Sequence, residues 1–277
     1  ISKIRFADVP IVGDLKYVLP ELTDLLSTEF AQQLPNLTEW WNELNVIRKD
    51  YPLGYEKPND GLGSPEYVLE RISALTGPDA YYVTGVGQHQ MWGAHYIQQE
   101  SPRHFVSSAG LGTMGYGVPA GMGAKVAHPE STVWVIDGDG CFQMTNQELV
   151  TCAQNNIPIK VAIINNSSLG MVRQWQTLFY NERYSNTDLK DGHGTARIPD
   201  FVKLGEAYGC ATFRCERDED VDATIKAALE INDRPVVIDF TVSPHALVWP
   251  MVPAGVSNDK IWIAKNTSPE FDREGEN

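Results

Sequence analysis

Two short turns hold the residues best able to do chemistry in this chain. Ile136-Asp137-Gly138-Asp139-Gly140-Cys141-Phe142 sets an acidic residue between glycines, and Ile164-Asn165-Asn166-Ser167-Ser168-Leu169-Gly170-Met171 sets amide and hydroxyl oxygens in a second turn. A carboxylate at Asp139, the amide oxygen of Asn166 and a backbone carbonyl of the second turn are the donors a hard cation such as Mg²⁺ accepts. Taken singly, the first turn is as well explained by Asp139 capping a helix, and the second by an ordinary Asn-rich turn. The pair is more specific. Adjacent parallel strands lie about 5 Å apart, so turns at neighbouring strand ends can share one ion.

The surrounding pattern places both turns at strand ends. Apolar or β-branched runs at Tyr81–Thr84, His104–Ser107, Thr132–Ile136, Ile159–Ile164 and Pro235–Thr241 predict strands. Helical stretches are predicted at His89–Gln98, Gly115–Ala127, Phe142–Asn155, Pro199–Tyr208 and Asp218–Ile231, with another opening at Ser64 or Pro65 and stopping at Gly77. Runs such as VWVI and VAII are apolar at every position, as strands buried on both faces are. The alternation implies an α/β fold: a doubly wound, mainly parallel sheet with helices on both faces. Ligands of such sheets bind beyond the carboxyl ends of the strands. Ahead of this region come an apolar stretch (Val9 to Val12), a helical run from Asp14 to Leu26, a polar Trp-containing segment from Asn36 to Asp50, and a Gly/Pro/Asn-rich linker from Tyr51 to Ser64.

Composition narrows the function classes. Among 277 residues, 22 Lys plus Arg against 36 Asp plus Glu give a net charge of −14, which argues against nucleic acid or an anionic membrane as partner. The four cysteines, Cys141, Cys152, Cys210 and Cys215, form no C-x-x-C pair, so reduced thiols in a cytoplasmic enzyme are expected, with neither a zinc site nor a disulfide framework. No apolar run reaches the ~18 residues of a membrane span. The opening ISKIRFADVP has no initiator Met and no signal-peptide pattern, and reads like the interior of a longer chain.

Gly138-Asp139-Gly140, running through FQMTNQEL and IPIKVAIIN to Asn165-Asn166, resembles the GDG…NN signature of thiamine diphosphate (ThDP) enzymes. The resemblance implies Mg²⁺ on Asp139, Asn166 and the backbone carbonyl of Ser168, with diphosphate contacts from Gly140 and Cys141. Val86-Gly87-Gln88-His89-Gln90-Met91-Trp92 is similar to the diphosphate-binding turn of acetohydroxyacid synthases, where Gln88 and His89 match the binding pair. In that family a bulky apolar residue wedges the cofactor into a bent form. Met114 takes that place, and the carbonyl of Gly112 would accept from the cofactor's 4′-amino group. Leu169, Gly170 and Met171 complete the implied cofactor surface. Gly170-Met171-Val172-Arg173-Gln174-Trp175 resembles the family's acceptor pocket, so Met171, Val172 and Trp175 are assigned to substrate. The stretch HALVWPMVPAGVSND resembles the arm that covers the active site. Cys141 departs from the small residues common at its position, although its N–H can still serve.

The resemblance implies condensation of pyruvate with a second 2-ketoacid, pyruvate or 2-ketobutyrate, with loss of CO₂, in branched-chain amino-acid biosynthesis. It further implies a homodimer or homotetramer, an optional regulatory subunit, and FAD in the full-length enzyme. Residues 1–50 then correspond to the end of an FAD-binding middle domain plus linker, 51–250 to the ThDP/Mg²⁺ domain, and 251–277 to a C-terminal arm. The Glu that activates ThDP in this family belongs to an N-terminal domain with no match here. No catalytic residue is therefore assigned in this chain, and alone it is expected to be inactive. Two other readings stand beside this one. Gly110-Leu111-Gly112-Thr113-Met114-Gly115 satisfies G-x-G-x-x-G, with Asp137 further on as a ribose-binding acid, which describes an NAD-binding Rossmann oxidoreductase. A non-catalytic regulatory domain of ThDP-enzyme descent is the other. His193, between two glycines, is expected in a surface loop, and neither Leu189–Arg197 nor the charged tail after Lys265 carries a motif.

Overall fold

The continuous apolar runs become strands because only a sheet covered on both faces satisfies their backbones and buries every side chain. The computed structural model describes residues 1–31, 35–189 and 198–269. His193, most of Leu189–Arg197 and the tail from residue 270 lie outside them. The chain divides into two units, residues 1–52 and 53–277.

The first unit holds α1 (Leu15–Thr28) and α2 (Thr38–Asp50). Asp14 caps α1, its Oδ1 accepting from the N–H of Lys16 at 2.9 Å. The polar Trp-containing segment, not expected to be helical, forms α2. Glu39 in its first turn and Arg48 and Lys49 in its last turn complement the helix dipole. The apolar stretch from Val9 to Val12 forms no strand. A strand needs a hydrogen-bonded neighbour, and none pairs with it among the described residues.

The second unit runs α3 (Pro65–Thr76), β1 (Tyr81–Thr84), α4 (Gln88–Tyr96), β2 (Phe105–Ser107), α5 (Gly117–Ala127), β3 (Val133–Gly138), α6 (Asp139–Thr145), α7 (Glu148–Gln154), β4 (Lys160–Asn165), α8 (Gly170–Phe179), α9 (Phe201–Ala207), β5 (Ala211–Cys215), α10 (Asp218–Glu230) and β6 (Val236–Thr241). All strands are parallel, in the order β2-β1-β3-β4-β6-β5. Alternate residues of β3 divide the core. Trp134 and Ile136 face α3, α4 and α10 through Leu69, Ile72, Trp92 and Ile225. Val133 and Val135 face α5, α6, α7 and α9 through Val118, Phe142, Leu149 and Phe201. The sheet is doubly wound, as expected.

In this unit α8, whose residues were not among the expected helices, and two further elements differ from expectation. β5 was not anticipated, because as an edge strand it lacks a continuous apolar run and carries a half-exposed arginine, Arg214. The single helix expected over Phe142–Asn155 is broken between Thr145 and Glu148, where Thr145 Oγ1 donates to the carbonyl of Gly115 at 2.9 Å and Asn146 Oδ1 accepts from Tyr208 Oη at 2.9 Å. No helix among the described residues is long and apolar enough to cross a membrane.

The first turn of α3 buries Glu66 to 6% exposure, and desolvation, with Asp218 nearby, pushes its carboxyl up to about 7 from 4.5. Folded protein thus holds this proton more tightly than unfolded chain. Stability from this group is fully present below about pH 4.5 and is lost as pH rises towards 7. Glu66→Gln is expected to raise the melting temperature at pH 8 by several degrees, on the order of 3 kcal/mol at most. The gain should vanish near pH 4, which paired calorimetric melts at the two pH values would show.

Candidate functional site

The strand order reverses at β1: the chain leaves it for β2 on one side and returns to β3 on the other. Such a switch point opens a crevice at the carboxyl ends of the strands. Three junctions meet there, Gly85–Gly87 after β1, Gly138 and Asp139 where β3 passes into α6, and Asn166–Leu169 after β4, and α4 and α8 begin at its edge. Their free N–H groups and dipole ends make the crevice suited to an anion. An open pocket lies between them.

Of the fifteen residues assigned to the cofactor, fourteen line this pocket: Val86, Gly87, Gln88 and His89 from the first turn, Met114, Gly138, Asp139, Gly140 and Cys141, and Asn166, Ser168, Leu169, Gly170 and Met171 from the third. Gly112 stands just outside, with φ at +68° and Val86 beside it. Val172 also lines the pocket, whereas Trp175, one turn further along α8, is 47% exposed and does not.

Asp139 is 1% exposed, and Oδ1 accepts from the N–H of Gly140 at 3.0 Å. Oδ2 is buried without a hydrogen-bond partner. Desolvation pushes this carboxyl up to about 7, against the opposing pull of the N–H groups of Gly140, Ser167 and Ser168. Across from it, Asn166 Oδ1 accepts from the N–H of Ser168 at 3.1 Å, and its Nδ2 donates to Gln88 Oε1 at 3.0 Å. The second turn is pinned again where Ser168 Oγ and the N–H of Leu169 both donate to the carbonyl of Thr187, at 2.9 and 2.8 Å. A buried carboxylate oxygen lacking a donor, among neutral oxygens, fits a hard divalent cation.

His89 is 6% exposed, with Nε2 3.6 Å from Asp137 Oδ1. Desolvation pushes the imidazole down to about 3, so it stays uncharged at neutral pH, and pushes the Asp137 carboxyl well up from its ordinary value. Cys141 completes a buried grouping of potential metal ligands with these two. Its thiol donates to the carbonyl of Val86 at 3.0 Å, and burial raises it to about 11.

The NAD reading fails on this geometry. Asp137 is fully buried and cannot meet a ribose. The Gly110–Gly115 turn follows β2, which β1 separates from β3 and its Asp137. A dinucleotide unit needs the glycine turn and the acid on neighbouring strands.

Gln174 was missed. It is fully buried and central: Oε1 accepts from Gln88 Nε2 at 2.8 Å and from the N–H of Val248 at 2.9 Å, while Nε2 donates to the carbonyl of Val248 at 3.1 Å. Its one legible signal was helical spacing, since Gln174 and Leu178 are the buried residues of α8 at i and i+4.

Gly170 has no room for a side chain. A Cβ there would strike Gln88 Oε1 and come within 2.6 Å of Asn166 Nδ2. Gly170→Ala is therefore expected to break the Gln88–Asn166 hydrogen bond and weaken Mg²⁺-dependent ThDP binding by about tenfold or more. Calorimetric dissociation constants equal to wild type would refute this.

Residues 85–240 match the family model described as the thiamine pyrophosphate enzyme, C-terminal TPP binding domain. The chain belongs to this family of thiamine pyrophosphate enzymes. It is 58% identical to an acetolactate synthase of Mycobacterium leprae over 100% of its own length and 44% of that protein. It is also 51% identical to the acetolactate synthase large subunit of Corynebacterium glutamicum (98% of this chain, 43% of the relative). For the acetolactate synthase isozyme 3 large subunit of Escherichia coli the identity is 40% (96% and 46%). The chain thus spans less than half the length of these relatives.

Proposed function

We propose that this chain supplies the Mg²⁺- and diphosphate-binding part of a ThDP-dependent acetohydroxyacid synthase. That enzyme condenses pyruvate with a second 2-ketoacid, pyruvate or 2-ketobutyrate, with loss of CO₂. The observation that carries the reading is the buried, unpartnered Oδ2 of Asp139 facing the Asn166 turn at the switch point. Asp139, Asn166 and the carbonyl of Ser168 hold Mg²⁺; Gln88, His89, Gly140 and Cys141 receive the diphosphate. Bound there, ThDP supplies the electron sink for decarboxylating a 2-ketoacid.

This chain's own part is placement. Mg²⁺ held by Asp139, Asn166 and Ser168 would anchor the diphosphate and would not polarise the substrate. Neutral His89 can meet phosphate oxygens without carrying a buried charge. Met114 at the pocket wall gives the apolar bulk for a bent cofactor, with Gly112 as acceptor for its amino group. Met171 and Val172 shape the acceptor site, and Trp175 favours the larger 2-ketoacid. Residues 1–50 are assigned to the end of an FAD-binding domain and 251–277 to a covering arm. The activating Glu is assigned to an N-terminal domain, in a cytoplasmic homodimer or homotetramer. The large-subunit names of the Corynebacterium and Escherichia relatives support a smaller regulatory subunit as partner.

Calorimetric titration with ThDP, with and without Mg²⁺ and with NAD⁺ as control, tests the reading. Heat from ThDP that requires Mg²⁺ supports it. Heat from NAD⁺ alone, or from ThDP regardless of Mg²⁺, would overturn it.

A further inference from the structure

Asp239 lies in the middle of β6, on the sheet face that α5, α7 and α9 otherwise cover with apolar side chains, and it is 4% exposed. A carboxyl group there is costly where a leucine of similar size would not be, so its partners are informative. Its Oδ1 accepts from Asn165 Nδ2, at the end of β4, at 2.9 Å. Its Oδ2 faces Arg214 Nε, on the edge strand β5, at 3.5 Å. The same guanidinium holds Asp200, the residue capping α9, through Nη2 at 2.6 Å. At the other end of the chain of contacts, Asn165 Oδ1 accepts from the N–H of Ser167 at 3.1 Å.

Ser167 is left-handed, with φ at +56°. A residue with a Cβ adopts that conformation at a cost, so something must hold it there. Ser167 stands between Asn166 and Ser168, the two oxygen donors of the second turn. The hydrogen bond from its N–H to Asn165 fixes that turn from the sheet side, while Thr187 fixes it from the other.

We propose that Arg214, Asp239 and Asn165 form a positioning relay, running from the edge of the sheet to the metal-binding turn, that holds Asn166 and Ser168 in place for the Mg²⁺–diphosphate. The relay rests on the metal reading above and deepens it. It explains a buried acid that the apolar core does not need, and an edge-strand arginine whose two carboxylates belong to different elements. A merely structural Asp239 would lower the melting temperature when removed and leave metal affinity alone. A relay also changes how tightly Mg²⁺ is held.

The test is calorimetric titration of the full chain with Mg²⁺ in excess ThDP, beside thermal melts. Asp239→Leu removes both ends of the relay and is expected to weaken Mg²⁺ roughly 10- to 100-fold, the usual effect of losing an outer-shell partner. Asp239→Asn keeps an oxygen for Asn165 Nδ2 and should recover most of that loss. Arg214→Met, at the half-exposed end, folds even if Asp239→Leu does not, and is expected to weaken Mg²⁺ by roughly three- to tenfold. Lower melting temperatures with unchanged Mg²⁺ affinity in Asp239→Leu and Arg214→Met would overturn the relay and leave the metal site standing. A wild-type protein that gives no Mg²⁺-dependent heat with ThDP would overturn the metal reading and the relay with it.

Discussion

Asp139→Ala is expected to abolish Mg²⁺-dependent ThDP binding, with a loss well over a hundredfold, since it deletes a ligand outright where an outer-shell change costs about 10- to 100-fold. The companion variant, Asp139→Asn, should lose binding too, yet melt higher than wild type in metal-free buffer at pH 8. Both follow from one fact. Burial raises this carboxyl from 3.8 to about 7, so in metal-free protein its ionisation opposes the fold. The sign is that of a raised acid: stability from this group is complete below about pH 4 and falls away as pH climbs through 7. The full difference is on the order of 4 kcal/mol, an upper figure for a group this buried. Removing the charge restores it. Mg²⁺ offsets the same cost by pairing with the carboxylate, and must displace its proton to do so. Mg²⁺ affinity in wild type is therefore expected to fall about tenfold per pH unit below 7. Calorimetric titrations at pH 5.5, 6.5 and 8, with scanning calorimetry of the metal-free variants, read every part of this. Undiminished Mg²⁺-dependent heat in Asp139→Ala would remove the metal from this turn.

The parts of the molecule that could be read in the sequence are those whose signal is local. VWVI and VAII declared buried strands because each residue meets a covered face, and the turns after them carried their donors in consecutive positions. The parts that escaped depend on partners distant in sequence. β5 escaped because an edge strand is paired on one side and wetted on the other, so ATFRC has no apolar run. The break between α6 and α7 is held by Gly115 and Tyr208, from elsewhere in the chain. Asp239 looked like an interruption in VVIDFT until Asn165 and Arg214 stood beside it. Trp175 is the opposite case. Its place in a motif suggested pocket wall, but it stands half-exposed on α8, one turn beyond Met171, and does not line the pocket.

Gln174→Leu is expected to have the second largest effect, on stability and ligand binding together, although no sequence motif marked the residue. Leucine fills the space but leaves the N–H and carbonyl of Val248 without partners in a dry setting, and Gln88 Nε2 with only the carbonyl of Ala246, at 3.1 Å. Each such buried group costs about 1–3 kcal/mol, so a loss of roughly 3 kcal/mol is expected in chemical denaturation. The consequences should reach two places. The segment after β6 loses one of its ties to α8, so trypsin should cut faster at Lys260 and Lys265. Gln88 also loses the bond that fixes its amide against Asn166, so ThDP should bind about tenfold more weakly or worse. Trp175→Ala, at the next position but half-exposed, should change stability by less than about 1 kcal/mol. Equal denaturation midpoints for Gln174→Leu and Trp175→Ala would show that the buried amide ties nothing together. A large difference, with faster cleavage in Gln174→Leu alone, would make Gln174 the hinge through which the diphosphate turn, α8 and the covering segment are held as one body.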